Sequence, residues 1–375
     1  MNLKLGFVVN PIAGMGGRVG LKGTDGVLKE ALARGAKPVA PQRAKEFLHE
    51  LKRHAEELNL QLLACPGIMG EKEAREASFK PEVLPLTIGK ETTAEDTKKA
   101  VRLFAEVKVD LIVFVGGDGT ARDIYDALKN LSNTVPVLGV PSGVKMYSGI
   151  FAVNPRDAAE VVAAFAKKTA SMADFEIMDA DEEAIRSDRF AVKLYGFLRG
   201  PFLPLRVQAS KQVTPQTLDE RENQKASARF VVEEMVPDAT YILGPGTTVK
   251  CVAELLGVEK TLLGVDLYRN GKLIKDVDEK RILREVNDWQ KVWIIVSPIG
   301  RQGMLFGRGN QQISPEIIKR VGKKRIIVVA TRNKVQSLDG GVLRVDTGDA
   351  EVDEMLKGYI RVVTDYKEWR LVRVV

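Results

Sequence analysis

Apolar and polar positions along the first 170 residues predict short buried strands between amphipathic helices, the arrangement of a parallel sheet covered by helices. The strand candidates are Leu3 to Val9, Gln61 to Ala64, Val83 to Ile88, Leu111 to Val115 and Val135 to Val140. Between them, Pro41 to Leu58 sets Phe47, Leu48, Leu51, Ala55 and Leu58 on one face, behind a Pro suited to a first helical turn. Thr92 and Glu95 have capping-box spacing ahead of Ala100, Val101, Phe104 and Ala105, and Asn154-Pro155 opens a helix through Lys167.

After residue 171 the pattern changes to strand-like runs separated by Gly, Pro and Asn turns: Phe190 to Leu198, Ala228 to Val236, Thr261 to Tyr268 and Lys291 to Val296. Arg269-Asn270-Gly271-Lys272 predicts a hairpin, because Asn-Gly accepts the positive φ angles of a tight primed turn. Helices are expected at Thr247 to Leu256 and Pro315 to Val321, and strands return at Ile326 to Ala330, Ile360 to Val363 and Leu371 to Val375. The expected architecture is a parallel-sheet α/β domain over 1–170 followed by an antiparallel β-rich domain over 171–375. The tail 331–375 either closes the second domain or returns to the first.

At 375 residues, with 45% hydrophobic and 29% charged positions, the chain has globular composition and room for two or three domains. Lys and Arg number 57 against 50 Asp and Glu, a net charge of +7. Charges of both signs are interspersed and aromatics are only 6%, so a nucleic-acid partner is not expected and an anionic small molecule fits better. Cys65 and Cys251 are isolated, and Met1 to Pro11 lacks a basic segment leading into a longer apolar core, so a reduced, cytoplasmic protein is expected. No apolar run approaches the ~18 residues of a membrane span. His49 and His54, five apart on one predicted helix, point about 140° away from each other and do not make a metal pair. Without a further His, Ser/His/Asp hydrolase chemistry is disfavoured.

The stretch Val109 to Thr120 runs an apolar strand into Gly116-Gly117-Asp118-Gly119-Thr120 and then into a helix. That places backbone N–H groups at a strand's carboxyl end and a helix N-terminus, where phosphate binds readily. Asp118 is the one acidic side chain of the turn. A carboxylate at ~4 Å from a phosphate would be repelled by up to ~4 kcal/mol at an effective dielectric near 20. Its position therefore suggests contact with a metal ion or a proton-donating hydroxyl; a helix-capping Asp is the plain alternative. A second turn, Asn10-Pro11-Ile12-Ala13-Gly14-Met15-Gly16-Gly17, nearly matches the dinucleotide fingerprint but has Val19 where Gly or Ala is needed. It reads as a phosphate-cradling or a structural turn. Gly89-Lys90 mimics a P-loop end, yet Glu91 stands where Ser or Thr belongs. Thr92 and Thr93 set hydroxyls at a helix start, for phosphate or for capping. Arg301 and Arg308, in the glycine-rich stretch Gly300 to Gln312, could clamp phosphate or lie in a solvated hairpin.

These residues resemble the superfamily of NAD kinases and diacylglycerol and sphingosine kinases, most closely the ATP-NAD kinase branch that includes acetoin-catabolism-associated proteins. The resemblance carries over nearly the whole chain. It implies a phosphofructokinase-like α/β domain, an antiparallel NAD kinase-like domain, and phosphorylation of a hydroxyl by ATP or polyphosphate with Mg²⁺. The acceptor it implies is a small metabolite, first of all the 2′-hydroxyl of NAD to give NADP, in a homo-oligomer. Asp118 matches the family's catalytic aspartate. Asn10, Gly14, Gly16, Gly17, Thr92, Thr93, Gly116, Gly117, Gly119 and Thr120 match the cofactor-binding turns. Gly246, Thr247 and Thr248 are similar to an acceptor loop, with Ser297-Pro298-Ile299 after it. Two departures stand out. The Asn-Glu pair by which NAD kinases hold the dinucleotide has no counterpart around Phe190 to Gly200. The lipid kinases' Gly-Thr-Gly-Asn-Asp is replaced by Pro141 to Ser148, whose Ser142, Lys145 and Tyr147 suit a polar acceptor. Another hydroxylated metabolite or lipid, or a nucleotide-binding regulator without turnover, are the alternatives.

Overall fold

The computed structural model describes residues 2–21, 28–89, 91–131, 135–143, 146–180, 192–204, 206–207, 218–300 and 302–375. Lys90, Lys145, Phe190 and Arg301 lie outside them. Among the described residues, those up to 15, from 28 to 180 and from 192 to 207 form one compact unit, and 16–21 with 218–375 form another.

Strand β1 (Leu3–Val9) buries Leu5, Phe7, Val8 and Val9, so both its faces are covered, as the run of consecutive apolar residues requires. It pairs in parallel with β2 (Leu60–Ala64) and β4 (Leu111–Gly116). β3 (Glu82–Val83) and β5 (Val137–Pro141) complete the order β3-β2-β1-β4-β5. The chain leaves β1 toward β2 and β3 on one flank and continues from β4 to β5 on the other. Connections thus part between β1 and β4, the switch point at which open α/β sheets take ligands. Helices α1 (Leu28–Ala33), α2 (Ala40–Leu58), α3 (Glu71–Glu76), α4 (Ala94–Glu106), α5 (Asp118–Leu128) and α6 (Pro155–Ala166) belong to this unit. α2 buries Phe47, Leu48 and Leu51, and Phe47 stacks on Phe7 at 5.8 Å.

Two local expectations change here. The strand expected over Val83 to Ile88 contracts to β3, because Pro85 cannot donate to a ladder. The box expected at Thr92 and Glu95 forms one residue later: Thr93, in extended conformation, donates its N–H and its hydroxyl to Asp96 Oδ2, both at 2.9 Å. After residue 171, β6 (Ser171–Ala180) and β7 (Val192–Phe202) form an antiparallel ribbon that packs on α5, with Tyr195 edge-on to Tyr125 at 5.6 Å. The ribbon therefore belongs to the first unit.

The second unit comprises α7 (Leu218–Glu233), β8 (Thr240–Leu243), α8 (Thr247–Leu255), β9 (Asp266–Arg269), β10 (Lys272–Ile274), α9 (Glu279–Glu285), β11 (Val292–Val296), β12 (Met304–Phe306), α10 (Pro315–Val321), β13 (Ile326–Val329), α11 (Arg332–Gln336), β14 (Val342–Val345), α12 (Ala350–Leu356), β15 (Gly358–Asp365) and β16 (Glu368–Val374). Its mixed nine-stranded sheet has the order β10-β9-β8-β11-β13-β15-β16-β14-β12. A parallel α/β domain followed by a mixed-sheet domain is the two-domain order expected from the sequence. Within the second, antiparallel pairing occupies β8-β9-β10 and β15-β16, while β8, β11, β13 and β15 run parallel. β11 and β13 are nearly continuous apolar runs, the pattern of strands covered on both faces. Residues 331–375 close this sheet.

Asn270 and Gly271 take φ of 46° and 77° in the expected hairpin. Ala228 to Val236, expected as a strand, is helical through Glu233. Strong helix formers precede it from Leu218 onward, and Ala228 and Val231 share a three-residue spacing into the core. Thr261 to Tyr268 yields only β9, because buried Asp266 accepts from the N–H and hydroxyl of Thr261, both at 2.7 Å, and folds 261–265 back. Among the described residues no helix is long and apolar enough to cross a membrane. Phe114→Ala, which strips a fully buried ring from its edge contact with Phe151 at 5.3 Å, is expected to cost ~3–5 kcal/mol in urea unfolding. Tyr359→Ser, on an exposed side chain, should stay within ~0.5 kcal/mol.

Candidate functional site

The carboxyl ends of β1 and β4 are tied to one another through Asn10. Its N–H donates to Val115 O at 3.0 Å, and its Nδ2 donates to Thr120 Oγ1 at 2.9 Å. Thr120 can fold back on the strand end only because residue 116 is Gly: a Cβ there would sit 2.5 Å from Thr120 Oγ1. α5 follows Gly117 with no side chain capping it, and its first intrahelical bond is Ala121 N–H to Gly117 O, 3.0 Å. The N–H groups of Asp118, Gly119 and Thr120 precede that bond, in the turn where a helix leaves its amides without intrahelical acceptors.

A pocket of about 220 Å³ opens here, lined by Asn10, Thr92, Thr93, Thr120, Arg122 and Asp123 among others. The N-termini of α4 and α5 both border it, so two helix dipoles favour an anion in it. Arg122 supplies a cation and is paired with Asp179 of β6. Asp123 is the pocket's carboxylate, with Lys98 Nζ 3.8 Å away.

Asp118 stands beside this pocket and is not among its lining residues. Its carboxylate accepts the N–H of Tyr147 at 2.6 Å and of Ser148 at 3.0 Å. Burial, with Asp118 adding to it, pushes the Tyr147 phenol up, so this ring stays neutral. Ser142, 3% exposed, follows β5; its N–H donates to Gly116 O at 3.0 Å, while its hydroxyl has no hydrogen-bond partner among the described residues.

Residues 5–170 match the model of the ATP-NAD kinase N-terminal domain, and residues 236–374 that of the ATP-NAD kinase C-terminal domain. The chain belongs to the ATP-NAD kinase family. No curated protein matches it. Among solved structures it is similar to a diacylglycerol kinase from Bacillus anthracis str. Sterne, 20% identical, over 48% of this chain and 46% of that one, with a TM-score of 0.22. It spans about half the length of that relative. A protein described as a UDP-N-acetylglucosamine 2-epimerase from Listeria monocytogenes is 11% identical over 95% of this chain and 82% of that one, with a TM-score of 0.25. Superpositions this poor carry no correspondence of residues.

In this ATP-NAD kinase family member the glycine run after β1 divides between the two units. Gly14, at φ +81°, lies against the backbone of Ser142: a Cβ would fall 1.8 Å from Ser142 O, so protein covers its bare side. Gly16 and Gly17 belong to the second unit, where Leu21 N–H donates to Gly16 O at 2.9 Å. Gly246, Thr247 and Thr248 open α8 in the second unit; Thr247 Oγ1 accepts from Gln224 Nε2 at 3.2 Å, and Thr248 is buried. Arg308 is 2% exposed and 3.7 Å from Asp346, which replaces the solvated hairpin by a buried ion pair. Lys145 and Arg301 lie outside the described residues. Sequence reasoning missed Arg122 and Asp123; their signal was a position within the first two turns of the helix that Asp118 begins.

Gly14→Ala combines a left-handed backbone with a clash against a carbonyl oxygen, and is expected to cost at least ~3 kcal/mol by urea denaturation. Thr93→Ala should cost ~1 kcal/mol, the ordinary worth of an N-cap.

Proposed function

We propose that this protein transfers a phosphoryl group from ATP or polyphosphate to a hydroxyl of a small metabolite, with the 2′-hydroxyl of NAD as the first acceptor to test. The observation that carries this reading is the pocket between the N-termini of α4 and α5 at the switch point of a parallel sheet. Phosphoryl transfer asks a protein chiefly for positioning and for neutralising charge, and this pocket offers helix N–H groups, the hydroxyls of Thr93 and Thr120, and Arg122. A buried hydroxyl without a partner costs ~1–3 kcal/mol. The Ser142 hydroxyl therefore supports a bound polar group nearby. Asp123 suits Mg²⁺, which takes one or two carboxylates and completes its shell with phosphate oxygens. Bound there, the ion would neutralise charge on the phosphates.

Asp118 is the residue for the acceptor. Two backbone amides fix its plane, and a carboxylate held in one direction can orient a hydroxyl and take its proton. Such base catalysis is worth ~10²- to 10⁴-fold. The absent Asn-Glu pair favours a second acceptor reading, another hydroxylated metabolite in place of NAD. Cys65 and Cys251 are free and buried, and burial pushes the Cys65 thiol up to about 12; inert thiols of this kind suit a reducing cytoplasm.

Asp118→Asn is expected to lower turnover ~10²-fold or more while Mg²⁺-ATP affinity holds within ~3-fold, measured on purified protein across NAD, polyols, nucleosides and lipids. Near-normal turnover in that variant removes Asp118 from the chemistry. ATP binding by the unaltered protein with no product from any acceptor makes the protein a nucleotide-binding regulator.

A further inference from the structure

The period of two along β6 sets Phe175, Ile177 and Asp179 on one face. The first two are buried in the core of the first unit, and Asp179 meets the guanidinium of Arg122 on α5. A carboxylate thus ends an apolar series. The next turn of α5 fixes this end of the ribbon: Tyr125 fills the space beside Gly196 of β7, where a Cβ would fall 2.3 Å from its ring, and Asp126 accepts from the Tyr195 hydroxyl at 3.1 Å. Tyr195 is the extra residue of a bulge, since Ile177 pairs with Gly196 and Met178 with Leu194.

The same end of β6 reaches the clamp on Asp118. Met178 N–H donates to Ser148 Oγ at 2.9 Å, and Ser148 N–H donates to Asp118 Oδ1 at 3.0 Å. Arg122 follows Asp118 by four positions, one helical turn on along the same face of α5. Two consecutive residues of one strand therefore support the carboxylate of Asp118 and the cation of the pocket. Neither stability nor net charge accounts for Asp179. The two side chains are 31% and 36% exposed, and ion pairs this open to solvent contribute little to stability. A carboxylate beside a pocket for phosphate repels its ligand. What the pair supplies is direction: a guanidinium fork matches phosphate oxygens in one plane, and a long side chain held before the ligand arrives loses less rotamer freedom on binding.

We propose that Asp179 is a positioning residue: it acts through Arg122, holding the guanidinium at the pocket so that it meets the phosphates of the donor. This rests on the reading of that pocket as the donor site, and adds the residue on which the pocket's cation depends. The sign of one substitution separates it from a plain charge effect. A carboxylate that only adds negative charge weakens anion binding, so its removal tightens Mg²⁺-ATP. A carboxylate that orients Arg122 strengthens binding, so its removal weakens Mg²⁺-ATP.

Calorimetric titration of the full chain with Mg²⁺-ATP reads that sign. Asp179→Ala is expected to weaken binding about fivefold to tenfold, and Asp179→Asn, which keeps an oxygen for the guanidinium, to stay within about threefold of the unaltered protein. Arg122→Gln should weaken binding about tenfold or more, and adding Asp179→Ala to it should change affinity by less than about twofold, because one residue acts only through the other. In the unliganded protein the heteronuclear NOE of Arg122 Nε should be that of a rigid group, fall in Asp179→Ala and hold in Asp179→Asn. Unchanged or tighter binding by Asp179→Ala overturns the proposal, as does a full effect of Asp179→Ala in the Arg122→Gln background. Absence of saturable ATP binding by the unaltered protein overturns it too. Should Asp179→Ala fail to fold, the NOE of the unaltered protein decides: a rigid Arg122 Nε upholds the proposal and a mobile one overturns it. The kinase reading fails separately, when ATP binds with this coupling intact and no acceptor yields product.

Discussion

The parallel pairing of β1 with β4 is the constraint on which the first unit depends. β4 is apolar throughout and β1 is apolar but for Lys4 near its start, so both are stable only where helices cover both faces, and parallel neighbours must be joined by helical crossovers. Crossovers deliver each strand's end to a turn and then a helix start, on the same edge of the sheet. Where successive crossovers leave in opposite directions, nothing fills the space above the strand ends. The pocket of Asn10, Thr93 and Thr120 is that space.

The same edge explains why its polar groups are arranged so tightly. Asn10 cross-links the two strand ends through Thr120, Gly116 makes room for that contact, and the amides of Tyr147 and Ser148 hold Asp118 from the far side. Several of these glycines therefore answer to packing first: Gly14 and Gly116 face protein atoms, leaving the helix N-termini to face the pocket. A carboxylate bonded to two amides is fixed in direction, which suits orientation of a hydroxyl beside a phosphate site better than direct contact with the phosphates.

Much of this was legible in the residues because it is local. β1, the Asn270-Gly271 hairpin, α8, α10 and the Asn154 start of α6 follow from spacing and turn chemistry alone. What was not legible is non-local. A four- or five-residue run such as Val292–Val296 carries no sign of the direction of its neighbours, so the parallel centre of the second sheet emerges only from pairing. Ala228 to Val236 reads as a strand by β-branched content, yet the helix begun at Leu218 runs through it. Thr92 and Thr93 offer the same capping spacing twice, and the chain uses one. The glycines announced the site, whereas Arg122 and Asp123 acquire meaning only from the pocket they line.

The most direct test of the central claim is a backbone amide NMR titration of the full chain with a non-hydrolysable ATP analogue and Mg²⁺. The largest shifts are expected at Thr93 and Ala94, where α4 starts, and at Gly119 and Thr120 of α5, all of which line the pocket. Saturable binding that leaves these amides unmoved would contradict that claim.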